Sequence, residues 1–484
     1  MEKKSRIEQF MTGLCLAILV FFTVSIAARF FTNKILIDHF GMNNAFTRLI
    51  GTKNSSNTET SDDTEISDDT TAPVNINWAQ LYPFEGEDKG GDTELPENRE
   101  SFFHSLSEKT DSFFSLVFSA ENKIESYSTK LLVGYHHMVL SAKEYNHMIG
   151  WNLAALDPDF DVLRLDNGYL TYTVPYVEEA DIAQIADNLA DFETYLNQKD
   201  IDFYYINAGG KLCPYDKQTS QPYYNYTNEN GDHLIAALTE RNVTAIDMRD
   251  YMIADGLDWY NSYYKTDHHW KTETGFWAAE IISRLLNENS GFSFDDFYFS
   301  KSSYKFETYK DYFLGSHGRV VTLAETELED FTKITPLFET NFSIEQPVYN
   351  LEKKGTYTET LFDEAAFLGI ANYSNTDYLS KIDAYSCAGI DTSALTVIKN
   401  NIAADNRDKK ILMLADSFSH YITSYLACDI GEIHNIYLGS FTGSIKSYIE
   451  KMQPDVVIML LNECNITSIT KEKYDAHTSL FDFR

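Results

Sequence analysis

A doubly wound α/β domain built on a parallel sheet is what this 484-residue sequence predicts, and three apolar runs carry the prediction. Ile411 to Ala415 and Asp455 to Leu461 are continuous rather than alternating, as strands buried on both faces require. Asp202 to Asn207 follows an amphipathic helical stretch and precedes Gly209 and Gly210, the succession of helix, strand and turn that such a sheet produces. The length leaves room for one large domain with appendages, or for two domains.

Residues 1–9 carry Lys3, Lys4 and Arg6, and Phe10 to Ala28 follows without a charge. That stretch can cross a bilayer as a helix, so residues 10–28 are expected to be a transmembrane helix or signal-anchor behind a cytoplasmic N-terminus. A cleaved signal peptide is the competing reading, because Ser25-Ile26-Ala27 approximates a small-x-small site; the length of the run favours the anchor. On either reading the remainder is exported. Residues 54–100 open with NSSNTETSDDTEISDDTTAP, too polar and acidic to offset chain entropy by burial, and are expected to form a disordered acidic linker. In residues 101–165, Phe102, Leu106, Phe113, Phe114, Val117 and Phe118 recur at helical spacing, which predicts a helical N-terminal region up to about Tyr145.

The α/β domain is expected over residues 166–484. Asp166-Asn167-Gly168 signals a turn, and Thr171 to Val174 has the composition of a strand. Ile182, Ile185, Leu189, Phe192 and Leu196 mark one face of a helix over Glu178 to Asn197, ahead of the strand Asp202 to Asn207. His233 to Glu240 reads as a short helix, Val243 to Met248 as a strand, and Trp277, Ile281 and Leu285 as the apolar face of a helix after Thr272. About residues 292–408, aromatic and Thr-rich runs with glycine turns predict a mostly β insert, the expected place for substrate contacts. Beyond it come the strand ending at Ala415, a strand Ile433 to Leu438, a helix through Ile445, Tyr448, Ile449 and Met452, and the last strand Asp455 to Leu461.

Two segments carry chemistry. ILMLADSFSHY places Ser417 at the carboxyl end of a strand, where open α/β sheets bind their ligands. Asp416 and Ser417 are also good caps for the helix that follows, and this segment alone leaves both roles open. YKTDHHWKTETGFW places Asp267 two residues before His269. In an extended segment those two share one side and His268 turns to the other. A carboxylate beside an imidazole fixes its tautomer and stabilises its protonated form, so Asp267, His269 and Ser417 have the makings of a serine triad, which depends on geometry and not on chain order. Trp270 either packs against substrate or covers the helix start. Asn207 and Lys211 follow a strand end, as groups of the site or as turn residues.

Together the two segments resemble the DHHW protein family, named for the tetrapeptide read here as Asp267-His268-His269-Trp270 and related to the SGNH hydrolase-like domain proteins of alginate O-acetylation. In that wider group an Asp-x-His-Trp segment precedes Gly-Asp-Ser-Phe-Ser. Both stand here in that order, with Ala415 in place of the glycine. The resemblance covers roughly Asp166 to the C-terminus. It implies an SGNH-hydrolase-like, flavodoxin-like sheet with Ser417 as nucleophile, His269 as base and Asp267 as its orienting acid. SGNH enzymes build the oxyanion hole from an asparagine and a glycine beside the serine amide, which makes Asn462 and Gly439, each after a strand end, candidates beside the Ser417 N–H. The activity it implies is O-acetyl transfer to a surface polysaccharide.

Composition narrows the partners. A formal net charge of -34 argues against nucleic acid and anionic lipid, and favours a neutral or amine-bearing glycan over an anionic one. The five cysteines show no Cys-x-x-Cys spacing, so buried thiols are expected, and no cofactor motif is present. A metal site at Asp267, His268 and His269 lacks a further ligand in the sequence and adjacent histidines should point apart. The expectation is an exported, membrane-anchored carbohydrate O-acetyltransferase or acetylesterase, with an acetyl donor supplied by a membrane acyltransferase partner. The alternative is a non-catalytic glycan-binding or assembly protein of polysaccharide export that keeps the fold.

Overall fold

The structure is a computed structural model that describes residues 153–155, 161–216, 218, 225–321, 323, 326–370, 384–388, 394–403, 405–468, 480, 481 and 483. The expected anchor, the acidic linker and the helical stretch up to Tyr145 lie outside the described residues. No helix of the described residues is long and apolar enough to cross a membrane.

Strands β1 (Leu153–Ala155), β2 (Val162–Arg164) and β3 (Leu170–Tyr172) form a small antiparallel sheet. The expected turn joins β2 to β3: Gly168 takes φ +83, a left-handed conformation that glycine adopts without strain, and its N–H donates to Leu165 O at 2.8 Å. Residue 166 lies in the turn of this hairpin, between β2 and β3.

Strands β4 (Asp202–Asn207) and β5 (Ala245–Asp247) open the central sheet. Strands β6 (Tyr304–Phe313) and β7 (Glu329–Pro336) pair with each other alone, while β8 (Phe342–Gln346), β9 (Leu351–Gly355) and β10 (Leu395–Asn400) return to the central sheet. Strands β11 (Lys410–Ala415), β12 (Glu432–Tyr437) and β13 (Val456–Leu461) complete it. The order is β5-β4-β13-β11-β12-β10-β8-β9. The first five are parallel; β10 then pairs antiparallel with β12, β8 with β10 and β9 with β8. One expectation needs correction here. The sheet is mixed rather than parallel throughout, because β8, β9 and β10 of the region 292–408 extend it.

The parallel half has a simple origin. Read from β11 as the first strand, the order β12-β11-β13-β4-β5 is the flavodoxin-like order 2-1-3-4-5, with the chain entering at its fourth strand and ending on its third. The topological switch point then lies between β11 and β13, at their carboxyl ends. This permutation places Asp267 and His269 ahead of Ser417 in the sequence.

Alternation along each strand builds two cores. Ile411, Met413 and Ala415 of β11 join Ile458 and Leu460 of β13 on one face, with residues of the helices Met248–Ala254, Thr272–Asn289 and Ser419–Leu426. Leu412 and Leu414 join Val457, Met459 and Leu461 on the other, under Glu179–Asn197, Thr227–Glu240 and Ile445–Met452. Helices cover both faces, so the parallel strands are apolar throughout. The helix Thr227–Glu240 starts six residues before the expected His233, and Met248 begins a helix instead of ending a strand. Leu414 is fully buried. Leu414→Ala is expected to lose about 2–5 kcal/mol, seen as a lower denaturant midpoint with an unchanged slope.

Candidate active site

Ser417 lies two residues beyond β11, and the strands beside it are in register: Ala415 is opposite Leu460 of β13 and Tyr437 of β12. Asp416 turns the chain there. Its carboxylate accepts from Phe418 N at 2.9 Å, Asn462 N at 2.6 Å and Asn465 Nδ2 at 2.7 Å, while burial lifts its carboxyl above the usual range against those bonds. Asp416 thus closes the turn ahead of the helix, whose N-cap is Phe418 without a side-chain cap bond, and the Ser417 hydroxyl faces His269. Ser417 Oγ is 2.6 Å from His269 Nε2. The Ser417 amide makes no hydrogen bond among the described residues, and it precedes the helix Ser419–Leu426, where N–H groups face outward.

His269 Nδ1 is 2.5 Å from Asp267 Oδ1, and the same oxygen accepts from His269 N at 3.0 Å. The other oxygen, Oδ2, accepts from Ser316 N at 2.6 Å. Burial alone would raise the Asp267 carboxyl, but His269 and His268 outweigh it and hold the group well below the usual carboxylate range. An ionised Asp267 therefore fixes the Nδ1–H tautomer and leaves Nε2 facing Ser417 as an acceptor. The expected strand-like alternation is absent. Residues Ser262 to Trp270 follow a bent path, and the His268 and His269 rings pack 3.8 Å apart rather than pointing to opposite sides. Asp267, His268 and His269 bring ligand atoms within 4.8 Å of one another, but both Asp267 oxygens and His269 Nδ1 are already committed to hydrogen bonds.

The bent path is held from three directions. Glu329, the first residue of β7, accepts from Lys265 N and Thr266 N at 2.7 Å each and from Thr266 Oγ1. Gly315 N donates to Thr266 Oγ1 at 2.9 Å, and Gly318 N to Thr266 O at 2.8 Å. Lys211 is buried and clips Leu170 O at 2.5 Å together with Asp267 O, and burial pulls its ammonium down to about 8. Lys211 thus ties the loop of Asp267 to β3.

The remaining expected site groups also have structural places. Trp270 is fully buried, with Phe418 edge-on at 5.1 Å, so it is part of the core beneath the site. Asn207 donates to Glu463 Oε1 at 2.8 Å in a buried network in which Arg249 Nε lies 3.1 Å from the same oxygen. Asn462 Nδ2 donates to Gly209 O at 2.6 Å and its N–H holds Asp416, so its amide stabilises the nucleophile turn rather than pointing at an oxyanion. Gly439 follows Leu438, whose N–H bonds Ala415 O at 3.0 Å; among the described residues no hydrogen bond links Gly439 to Ser417. Cys387 and Cys428 are buried, Cys213 and Cys464 are half-buried, and Cys15 lies outside the described residues.

Sequence reasoning missed Ser316, Glu329 and Tyr385. The last stacks on His269 with ring centroids 4.2 Å apart. One signal was present: Gly315-Ser316-His317-Gly318 sets two glycines around a Ser-His pair inside a stretch rich in large side chains.

No protein-family model and no curated protein matches the chain. Among solved structures it is similar to Bacillus cereus PatB1, free at 18% identity and with a sulfonyl adduct at 17%. In both comparisons the TM-score is 0.52, over 67% of this chain and 99% of that one. The two proteins share a fold. The chain is also similar to a DHHW family protein from Eubacterium siraeum, at 15% identity and TM-score 0.47 over 64% of this chain and 93% of that one. A further similarity is to the O-acetyltransferase domain of Pseudomonas putida AlgJ, at 12% identity and TM-score 0.38 over 67% and 99%.

A Cβ on Gly315 would sit 2.2 Å from Asp267 Cβ and 2.5 Å from Thr266 O. Gly315→Ala is therefore expected to cost about 1–3 kcal/mol and to push Asp267 away from His269. The readout is the downfield proton NMR signal of the Asp267–His269 hydrogen bond, lost in Gly315→Ala and kept in Ser417→Ala.

Proposed function

We propose that this chain is a serine acyl-transfer enzyme: an exported, membrane-anchored carbohydrate O-acetyltransferase or acetylesterase acting on a cell-surface or extracellular polysaccharide. The observation that carries the reading is the relay in which Ser417 Oγ meets His269 Nε2 at 2.6 Å and His269 Nδ1 meets Asp267 at 2.5 Å. The Asp-His-His-Trp and Ala-Asp-Ser-Phe-Ser motifs support the carbohydrate O-acetyl substrate class. The PatB1 fold supports the scaffold, and the apolar run Phe10 to Ala28 supports the anchor.

His269 Nε2 takes the Ser417 proton as Oγ bonds to the acetyl carbon, and the C=O electron pair moves onto oxygen beside the Ser417 N–H. The tetrahedral species collapses, the donor alkoxide leaves, and His269 returns the proton to it. A sugar hydroxyl or water then attacks the acetyl-serine, giving its proton to His269, and collapse restores Ser417. Asp267 stays ionised throughout and stabilises the imidazolium formed at each attack. Sugar as the second acceptor makes the enzyme a transferase, and water makes it an esterase. A membrane acyltransferase partner would supply the acetyl donor on the exported side.

The full chain in detergent is expected to release acetate from a chromogenic acetyl ester, and Ser417→Ala and His269→Ala to lose at least about a thousandfold in kcat. Phenylmethylsulfonyl fluoride should label the wild type at Ser417, with loss of fluoride, and leave Ser417→Ala unlabelled. Equal turnover in the wild type and Ser417→Ala would sink the reading.

A further inference from the structure

The imidazole of His269 is enclosed on its flat sides. The short turn Ala384–Cys387 brings Tyr385 against it face to face, with ring centroids 4.2 Å apart and planes 18° apart. His268 packs on it at 3.8 Å. No ring contact joins His268 to Tyr385, as expected if they take opposite faces. Tyr385 is 4% exposed, and its ring is braced by Tyr264 at 6.2 Å and Tyr421 at 5.0 Å, both near perpendicular. Its carbonyl accepts from Ala388 N at 3.2 Å, the turn is tied to Asp363, whose N–H donates to Cys387 O at 2.8 Å, and its hydroxyl donates to Ser417 O at 3.4 Å. The ring is therefore held in place before any substrate arrives.

The face of an aromatic ring carries negative potential, so it gains little over a neutral imidazole and more over a cation. His269 becomes that cation when it takes the Ser417 proton. The other titratable groups around it leave room for this. Asp267 is held ionised; burial and His269 push His268 well below its ordinary range; burial pulls His317 and His420 down to about 3; burial raises Asp416. The neighbouring histidines thus stay neutral; a nearby cation is Lys211, bonded to the Asp267 carbonyl and pulled down to about 8 by burial.

We propose that Tyr385 is a positioning residue that stabilises the imidazolium form of His269 through its ring face, so that proton transfer from Ser417 depends on an aromatic group at this position. The inference rests on the triad reading above. It gives the segment around residue 385, which no motif marks, a part in the chemistry rather than in substrate contact.

The test compares Tyr385→Phe, Tyr385→Leu and a Tyr385→Phe series with stepwise ring fluorination, which weakens the negative face while keeping the shape. In the full chain, kcat and KM on p-nitrophenyl acetate are measured across pH, with melting temperature as the folding control. Tyr385→Phe should stay within about twofold of wild type, while Tyr385→Leu and the pentafluoro ring should lower kcat on the order of tenfold with KM nearly unchanged. The acidic limb of the profile should move to lower pH with each added fluorine, because the protonated base loses its stabilising face. Fluorination without effect on kcat and on that limb would overturn the proposal, even if Tyr385→Leu fails to fold. Tyr385→Phe as damaged as Tyr385→Leu would also overturn it, by assigning the role to the hydroxyl. Retained turnover in Ser417→Ala is the separate failure of the triad reading.

Discussion

A buried carboxylate must have its charge met by hydrogen bonds, and Asp267 imposes that demand on everything around it. One oxygen takes both N–H donors of His269 and the other takes Ser316 N. Ser316 can reach only because Gly315 has no Cβ to collide with Asp267. The same constraint explains Lys211, which removes the carbonyl of Asp267 from competition, and Glu329, which fixes the two residues before it. A segment with no regular secondary structure is held here by hydrogen bonds from three other parts of the chain.

Ser417 obeys a different rule. It follows β11 at the topological switch point of the parallel half, where the strand order turns back and β11 and β13 are neighbours. Asp416 ties the ends of these two strands together by accepting from Asn462 and Asn465 beyond β13 and from Phe418 on its own side. The permuted strand order leaves this arrangement unchanged, since the sheet depends on which strands are neighbours and not on where the chain begins. Asp267 and His269 can therefore precede Ser417 along the chain and still converge on it.

Much of this was legible in the residues. The apolar runs at 202–207, 411–415 and 456–461 could only be doubly buried strands, and Asp267, His269 and Ser417 stood out because few residue types can form a relay. The supporting residues were not legible. Trp270 reads in sequence as either a substrate contact or a cover for the helix start, and is buried core in the fold; Asn207 and Asn462 follow strand ends as site residues do, and donate to Glu463 and Gly209. A hydrogen-bonding side chain carries no mark of which partner will take it.

What the sequence determined by itself was local: strand and helix periods, the Gly168 turn, and the chemical types able to form a triad. Those follow from backbone sterics and side-chain chemistry within a few residues. Tertiary structure alone decided that β8, β9 and β10 extend the main sheet, that the acid loop is bent, and that Tyr385 covers His269. Each is a contact between segments tens to hundreds of residues apart, set by the competition of all buried groups for space and hydrogen bonds.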